Sequence, residues 1–334
     1  MSDIHLTLGI NDYDHVRDLF TGRVKPAGID LTCLVMEVEE TFKRFLAAQE
    51  WDVSEISFAM SCQAIDRGNA PFVLIPVFPS RLFRHSAVYV RTDGSVKKPG
   101  DLAGKKVGLP QWSQTATTYV RGWITDTVGI PLADIDWYQL GPNSPGRLDD
   151  TPERPPAGVR LTDLPGGSLA DMLAEGRLDA VISADPPRLF LAGDPRIGRL
   201  FAEYEDVERD YFAATGIYPI MHTVALKRSS YEANPWIARN LFNAFEAARD
   251  NSVRRLLDHN VSQIALPWIQ QSVRRAGAAF FPDGDYWPYG VSRNRATIEA
   301  FLKFCHDQGV TKRHLNPEDI FAREALEPFH QLRV

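Results

Sequence analysis

The sequence is poor in cysteine, has no long apolar run and carries no surplus of basic charge, and each shortage excludes a class of protein. Its 334 residues contain 3 cysteines, Cys33, Cys62 and Cys305. Their odd number and wide spacing fit neither a disulfide framework nor a zinc site, so they read as reduced core thiols of a cytoplasmic protein. No apolar stretch reaches the roughly 20 residues of a membrane span. Lys and Arg number 37 against 43 Asp and Glu, a net charge of −6. Such a chain lacks the basic face that nucleic acid or an anionic membrane surface requires. The start Met1-Ser2-Asp3-Ile4-His5-Leu6 has neither a basic region nor an apolar signal core, so no export is expected. The 8 histidines include no HExxH or HxxEH pair, so no tightly bound metal and no cofactor are indicated, although carboxylates leave room for a weakly held divalent ion. The phosphate-loop pattern, the dinucleotide fingerprint and the G-x-S-x-G elbow are missing. There is no internal repeat and no low-complexity tract.

What is present is globular: 44% hydrophobic and 24% charged residues, in a chain long enough for two domains. Strand-like runs are expected at Ile4–Ile10, Ile29–Met36, Phe72–Phe78, Ser86–Arg91, Lys106–Leu109, Asp136–Leu140, Val159–Leu164, Ala180–Ser183 and Thr223–Lys227. Helical spacing separates them at Thr41–Gln49, Thr115–Val128 and Ser168–Glu175. This alternation predicts an α/β fold with largely parallel sheets. The last third is helical. Asn234-Pro235 reads as a cap and first-turn proline before Ile237, Leu241, Phe242, Phe245 and Ala248, and a second helix carries Ile298, Phe301, Leu302 and Cys305 and stops at Gly309. Gly141–Gly158, rich in Pro, Gly and Asp, reads as a surface loop.

Several stretches have the chemistry of a site. Trp112-Ser113-Gln114-Thr115 follows a strand and opens a helix, where backbone N–H groups, hydroxyls and an amide suit a carboxylate; an ordinary helix cap has the same local pattern. Arg81, Arg84 and His85 sit just before a strand. Arginine offers a donor fork matched to carboxylate, and histidine is an acid or base near neutral pH; a solvated basic turn is the plain alternative. If the strand begins at His85, then His85, Ala87 and Tyr89 share one face. His222 opens another apolar strand, where a core histidine with satisfied nitrogens is the ordinary case. Glu55 in Asp52-Val53-Ser54-Glu55-Ile56-Ser57 is either a buried carboxylate with a raised pKa or an element terminus. Asn11-Asp12-Tyr13-Asp14 and Asp185-Pro186-Pro187 lie at carboxyl ends of strands, where α/β sheets meet ligands.

Two longer stretches carry a resemblance. Asp101-Leu102-Ala103-Gly104-Lys105-Lys106-Val107-Gly108 and Leu173-Ala174-Glu175-Gly176-Arg177-Leu178-Asp179-Ala180 resemble signatures of the two-lobed type II periplasmic-binding-protein-like fold. Ser80–Ser86, Asp52–Ser57, Gln114–Gly122 and Tyr218–Thr223 resemble the 4,5-dihydroxyphthalate decarboxylase family over nearly the whole chain. The fold implied is two α/β lobes closing an interlobe ligand cleft, with a helical C-terminal segment. Lobe I would be residues 1–90 and 223–334 and lobe II residues 91–222, with crossings near His85–Arg91 and His222–Lys227.

The activity implied by the resemblance is loss of one ring carboxylate from 4,5-dihydroxyphthalate as CO2, giving 3,4-dihydroxybenzoate (protocatechuate) in phthalate degradation. Such a reaction needs an acid near the ring carbon, an acceptor near the phenols and cations for the retained carboxylate. On that reading Arg81 and Arg84 bind carboxylate, Ser113, Gln114 and Thr115 complete the anion site, and Asp185 lines it. Trp112 covers the ring face. His85 and His222 are proton donor and phenol partner in either order, and Glu55 orients a histidine or accepts a phenol proton. The partner implied is a small aromatic dicarboxylate. The competing readings are a non-catalytic solute-binding protein, a sister cytoplasmic enzyme acting on another cyclic carboxylic acid, and a ligand-sensing module. The aromatic segment Phe280–Tyr289 would be costly if exposed; it is expected to cap the cleft or form a subunit contact, and the resemblance implies a homo-oligomer.

Overall fold

Eleven strands build two separate sheets in the computed structural model, which describes residues 3–146, 155–164 and 166–326. They are β1 Ile4–Ile10, β2 Ile29–Val35, β3 Val53–Ser57, β4 Phe72–Ile75, β5 Val88–Arg91, β6 Lys106–Leu109, β7 Asp136–Gln139, β8 Arg160–Asp163, β9 Ala180–Ile182, β10 Ile197–Arg199 and β11 His222–Lys227. The chain divides into two compact units. The first holds residues 1–81, 220–298 and 316–334, and the second residues 82–219 and 299–315.

In the first unit the strand order is β2-β1-β3-β11-β4. β1 runs parallel to β2 and β3, and β11 runs antiparallel to β3 and β4. In the second the order is β10-β5-β9-β6-β7-β8. β6 to β9 are parallel, and β5 opposes both β9 and β10. Each sheet is thus a parallel set with one reversed strand, next to an edge. The reversed strand is in each case the first that the chain forms after crossing from the other unit.

Local chemistry explains the elements. The helix Val38–Ala48 buries Phe42 and Phe45 and ends at Gln49 with φ 48°. Ser168 caps the helix Leu169–Ala174 by accepting from the Asp171 N–H at 3.2 Å. Gly108, in β6, lies where a Cβ would come within 2.5 Å of Leu169 and 2.6 Å of Leu178; its missing side chain lets that helix close onto the sheet. In the first unit the helix Trp236–Leu256 turns Ile237, Leu241, Phe242, Phe245 and Ala248 inward as expected. Pro235, rather than Asn234, holds its N-cap position.

The expected division of the chain needs correction. Crossings fall between Arg81 and Leu82 and between Pro219 and Ile220, and residues 299–315 belong to the second unit rather than to the first. These two crossings fall just before the histidine stretches, β5 pairing entirely within the second sheet and β11 entirely within the first. Residues 299–315 pack into the second unit through Phe301, stacked on Tyr119 at 4.6 Å, and Phe304, which lies where Gly122 has no side chain. Their helix, Val291–Asp307, buries Ile298, Phe301, Leu302 and Cys305 as expected, and the chain turns after it at Gly309 with φ 70°. His85 does not begin a strand. His85–Ala87 form one 3₁₀ turn before β5, so the strand alternation expected of His85, Ala87 and Tyr89 does not apply. β3 and β10 were not expected as strands. The middle of the Gly141–Gly158 loop, residues 147–154, lies outside the described residues.

Candidate active site

Glu55 lies in the middle of β3, a strand buried along all five residues because β1 and β11 occupy both of its edges and the helix Val38–Ala48 packs against it. The β3–β11 register sets His222 opposite Ser57 and Val224 opposite Glu55. Opposed residues share a face, as do residues two apart, so Glu55 and His222 are diagonal neighbours on one face. His222 Nδ1 lies 2.6 Å from Glu55 Oε1. The Tyr13 hydroxyl donates to the same oxygen at 2.6 Å, and the Asn11 N–H to Oε2 at 3.0 Å. Glu55 is 0% exposed, and these three donors offset the cost of burying its charge.

A carboxylate at that distance acts as acceptor, so Nδ1 carries the proton and Nε2 is the nitrogen of His222 left to meet another group. Among the described residues Nε2 makes no hydrogen bond, and the His222 side chain keeps 19% exposure. Phe42 stands edge-on to the ring at 5.0 Å. Burial, then the Glu55 charge, raises the Tyr13 phenol far above its usual value, with the Ser80 hydroxyl pulling the other way. Tyr13 therefore remains a neutral donor. The dyad is able to hold an imidazolium in one orientation and pass a proton at Nε2.

More polar groups surround it within the first unit. The His15 ring lies 5.4 Å from Tyr13, 5.3 Å from Trp287 and 6.5 Å from Tyr289. Burial lowers His15 to about 4. Arg81 is 3% exposed and donates to the Pro288 carbonyl at 3.2 Å. The Arg249 guanidinium lies 5.3 Å from the Tyr289 ring centre. The Phe280–Tyr289 segment therefore folds into its own unit: Tyr289 is 2% exposed, and Trp287 donates its ring N–H to the Phe78 carbonyl at 2.9 Å.

The second unit holds the other expected residues. His85 is 5% exposed and boxed edge-on by Trp123 at 5.0 Å and Tyr211 at 4.9 Å. Both ring nitrogens lack a hydrogen-bond partner among the described residues; the Glu208 carboxylate stands 4.0 Å away. Burial lowers His85 to about 4 and raises Glu208. Arg84, drawn down to about 10 by burial but still cationic, shares with His85 a small cavity lined also by Tyr119, Trp123, Tyr211 and Pro219. Ser113 and Thr115 are buried at the start of the helix Thr115–Trp123, with Gln114 in the N-cap position. Asp185 is exposed and accepts from Asn143 at 2.9 Å.

Trp112 is not a ring cover. It is 0% exposed, with the Arg121 guanidinium over its ring at 3.8 Å, the Trp137 ring edge-on at 5.6 Å and its ring N–H on the Gln308 carbonyl at 2.8 Å. It is a core side chain of the second unit, because residues 299–315 return to cover it. Tyr13 belonged to a stretch flagged only for its place at a strand end, and Tyr289 to the aromatic segment expected to cap the cleft or form a subunit contact; His15 and Arg249 were missed. The clue to Tyr13 and His15 was their position just after β1, at a carboxyl end where α/β sheets meet ligands. Among the described residues no group of three His, Cys, Asp or Glu is placed to hold a metal ion. No described helix is long and apolar enough to cross a membrane.

Two α/β units, each a parallel sheet with one reversed strand, define a two-lobed periplasmic-binding-protein-like fold of type II, and the first of them holds a histidine against a buried carboxylate. Solved structures agree on the fold. The periplasmic aliphatic sulphonate binding protein SsuA from Escherichia coli matches with TM-score 0.54 at 13% identity, over 97% of this chain and 99% of that one. A point mutant of DszB in complex with biphenyl-2-sulfinic acid matches with TM-score 0.54 at 15% identity, over 98% of both chains. No family model matches the sequence. A 4,5-dihydroxyphthalate decarboxylase of Comamonas testosteroni is 32% identical over 330 residues, 98% of this chain and 99% of the relative. One from Pseudomonas putida is 32% identical over 215 residues, 64% of this chain and 83% of the relative. The chain belongs to the 4,5-dihydroxyphthalate decarboxylase family and is a carboxy-lyase.

Proposed function

We propose that the protein removes one carboxylate from 4,5-dihydroxyphthalate, without a cofactor, giving 3,4-dihydroxybenzoate and CO2, and that His222 delivers the proton. The observation that carries this reading is the 2.6 Å contact of His222 Nδ1 with the buried Glu55 carboxylate, which leaves Nε2 unbonded. The substrate is supported by the two relatives of that name.

The chemistry runs as a replacement of CO2 by a proton at one ring carbon. A bare aryl anion is too high in energy to form, so the C–H bond forms before or as the C–C bond breaks. The phenol para to that carbon pushes electron density into the ring as its proton passes to solvent; the phenolate left when CO2 departs takes a proton back, and solvent recharges Nε2. The imidazolium of His222 gives its Nε2 proton to the ring carbon. The C–C pair then returns to the ring, restoring aromaticity, and the carboxylate leaves as CO2. Glu55 holds the imidazolium and its orientation, and the Tyr13 hydroxyl and Asn11 N–H keep Glu55 in place. Arg81, buried in the same unit, is the cation for the retained carboxylate. His85, kept neutral by burial in the second unit, takes no step here and serves as the comparison.

The test is CO2 release from purified protein over a panel of dihydroxylated aromatic acids, with and without chelator, for the wild type and for His222→Gln and His85→Gln. His222→Gln is expected to lose about 10²–10⁴-fold in kcat. Full turnover by His222→Gln with the fold intact removes it from the mechanism. Binding of an aromatic acid with no CO2 from any of the panel overturns the proposed reaction in favour of a binding protein, and a chelator effect overturns the cofactor-independent form.

A further inference from the structure

Beside the Glu55–His222 dyad, and unused by the mechanism above, two buried polar atoms face no partner among the described residues: the Tyr289 hydroxyl and His15 Nε2. Tyr289 is 2% exposed. The rings they belong to lie 6.5 Å apart, centre to centre. Buried polar groups are nearly always hydrogen-bonded, and each exception calls for an explanation. An unmet buried group costs about 1–3 kcal/mol, so two within one cluster amount to a standing cost that an occupant would relieve.

Their chemistry specifies that occupant. Burial keeps the His15 ring neutral, so it carries one N–H and one lone pair. Nε2, the unpartnered nitrogen, presents one or the other according to the tautomer. Tyr289 brings an O–H. A hydroxyl both donates and accepts, so it can pair with the Tyr289 hydroxyl and with Nε2 in either tautomer, whereas a carboxylate pairs only with donors. Tyr13 ties the pair to the dyad, since its ring lies 5.4 Å from His15 and its hydroxyl bonds to Glu55. The guanidinium of Arg249 lies 5.3 Å from the Tyr289 ring centre, which favours Tyr289 as a polarised donor.

We propose that Tyr289 and His15 form a subsite for one ring hydroxyl of the substrate, the Tyr289 hydroxyl and His15 Nε2 each pairing with it. The proposal rests on the reading of the substrate as a hydroxylated aromatic acid. A site built to bond a hydroxyl strongly rejects the analogue without one, because its own polar groups are then left unpaired.

The experiment is calorimetric binding of 3,4-dihydroxybenzoate and of benzoate to the wild type, Tyr289→Phe and His15→Gln, with CO2 release measured in parallel. The wild type is expected to prefer the hydroxylated ligand. Tyr289→Phe should lose about tenfold or more in affinity for it and less than about threefold for benzoate, so that the preference collapses. Because the deleted hydroxyl is unbonded, the variant should be at least as resistant to urea as the wild type, which separates the subsite from a structural role. His15→Gln provides the second reading, with the same collapse expected. A preference that survives in both variants, an equal loss for both ligands, or no preference in the wild type overturns the subsite. CO2 release with surviving preference overturns the subsite alone; no CO2 release with a collapsing preference overturns the decarboxylase reading and leaves the subsite standing.

Discussion

Replacing Glu55 by Gln removes one charge from the dyad while keeping its shape. The carboxylate is wholly buried and its oxygen lies 2.6 Å from His222 Nδ1. Two unit charges about 4 Å apart at an effective dielectric near 20 interact by about 4 kcal/mol, and breaking a buried pair costs about 3–5 kcal/mol. If Glu55 stabilises the imidazolium that gives up its proton, that energy is lost from the transition state. At about 1.4 kcal/mol per factor of ten, kcat/KM should fall about 10³-fold. Tyr13→Phe leaves the carboxylate charged and deletes one hydrogen bond to it, worth about 1.5–3 kcal/mol, so its loss should stay between about tenfold and a hundredfold. The assay is CO2 release at saturating and limiting substrate, with near-ultraviolet circular dichroism to establish folding. A folded Glu55→Gln that retains activity within about threefold refutes the reasoning. So does a Tyr13→Phe variant as impaired as Glu55→Gln, since the charge would then not be the operative feature.

Two further outcomes follow from buried groups. His15 and His85 are drawn by burial from the ordinary 6.5 to about 4. Below 6.5 the unfolded chain takes up protons that the folded chain refuses, so stability present above 6.5 is lost as pH falls toward 4, by up to about 3 kcal/mol per ring. Urea midpoints at pH 7 and pH 4.5 should show the loss, and His85→Phe should show a smaller one; an equal drop in that variant counts against a buried neutral His85. Trp112→Ala should destabilise the protein by about 3–5 kcal/mol, read from urea unfolding, whereas a ligand-facing tryptophan would leave stability near that of the wild type and raise KM instead.

The expected strands Ile4–Ile10 and Lys106–Leu109 coincide with β1 and β6, because an apolar run in a parallel sheet is long enough and bounded enough to read directly. β3 was not legible. Its Val-Ser-Glu-Ile-Ser pattern looks half-solvated, but both of its edges are paired, its serines bond locally, as when Ser54 Oγ donates to the Glu55 carbonyl at 2.8 Å, and Glu55 finds its partners on distant segments. The same concealment affected Trp112. Next to Ser113, Gln114 and Thr115 it read as part of a ligand site, until the return of residues 299–315 supplied Gln308 to its ring nitrogen.

Glu55 and His222 were both legible as chemistry, one as a carboxylate in an apolar run and the other as a histidine opening a strand. Their partnership was not, since they lie 167 positions apart and no local pattern records a strand register. Composition and periodicity determined the class of fold and the kinds of group available to the site. Tertiary structure decided which of those groups meet: the antiparallel pairing of β11 with β3 sets His222 diagonally from Glu55, and the packing of Tyr289 beside His15 brings together residues from opposite ends of the chain. Local propensity acts over a few residues, whereas a site is made by long-range pairings whose energy is realised only when the whole sheet forms.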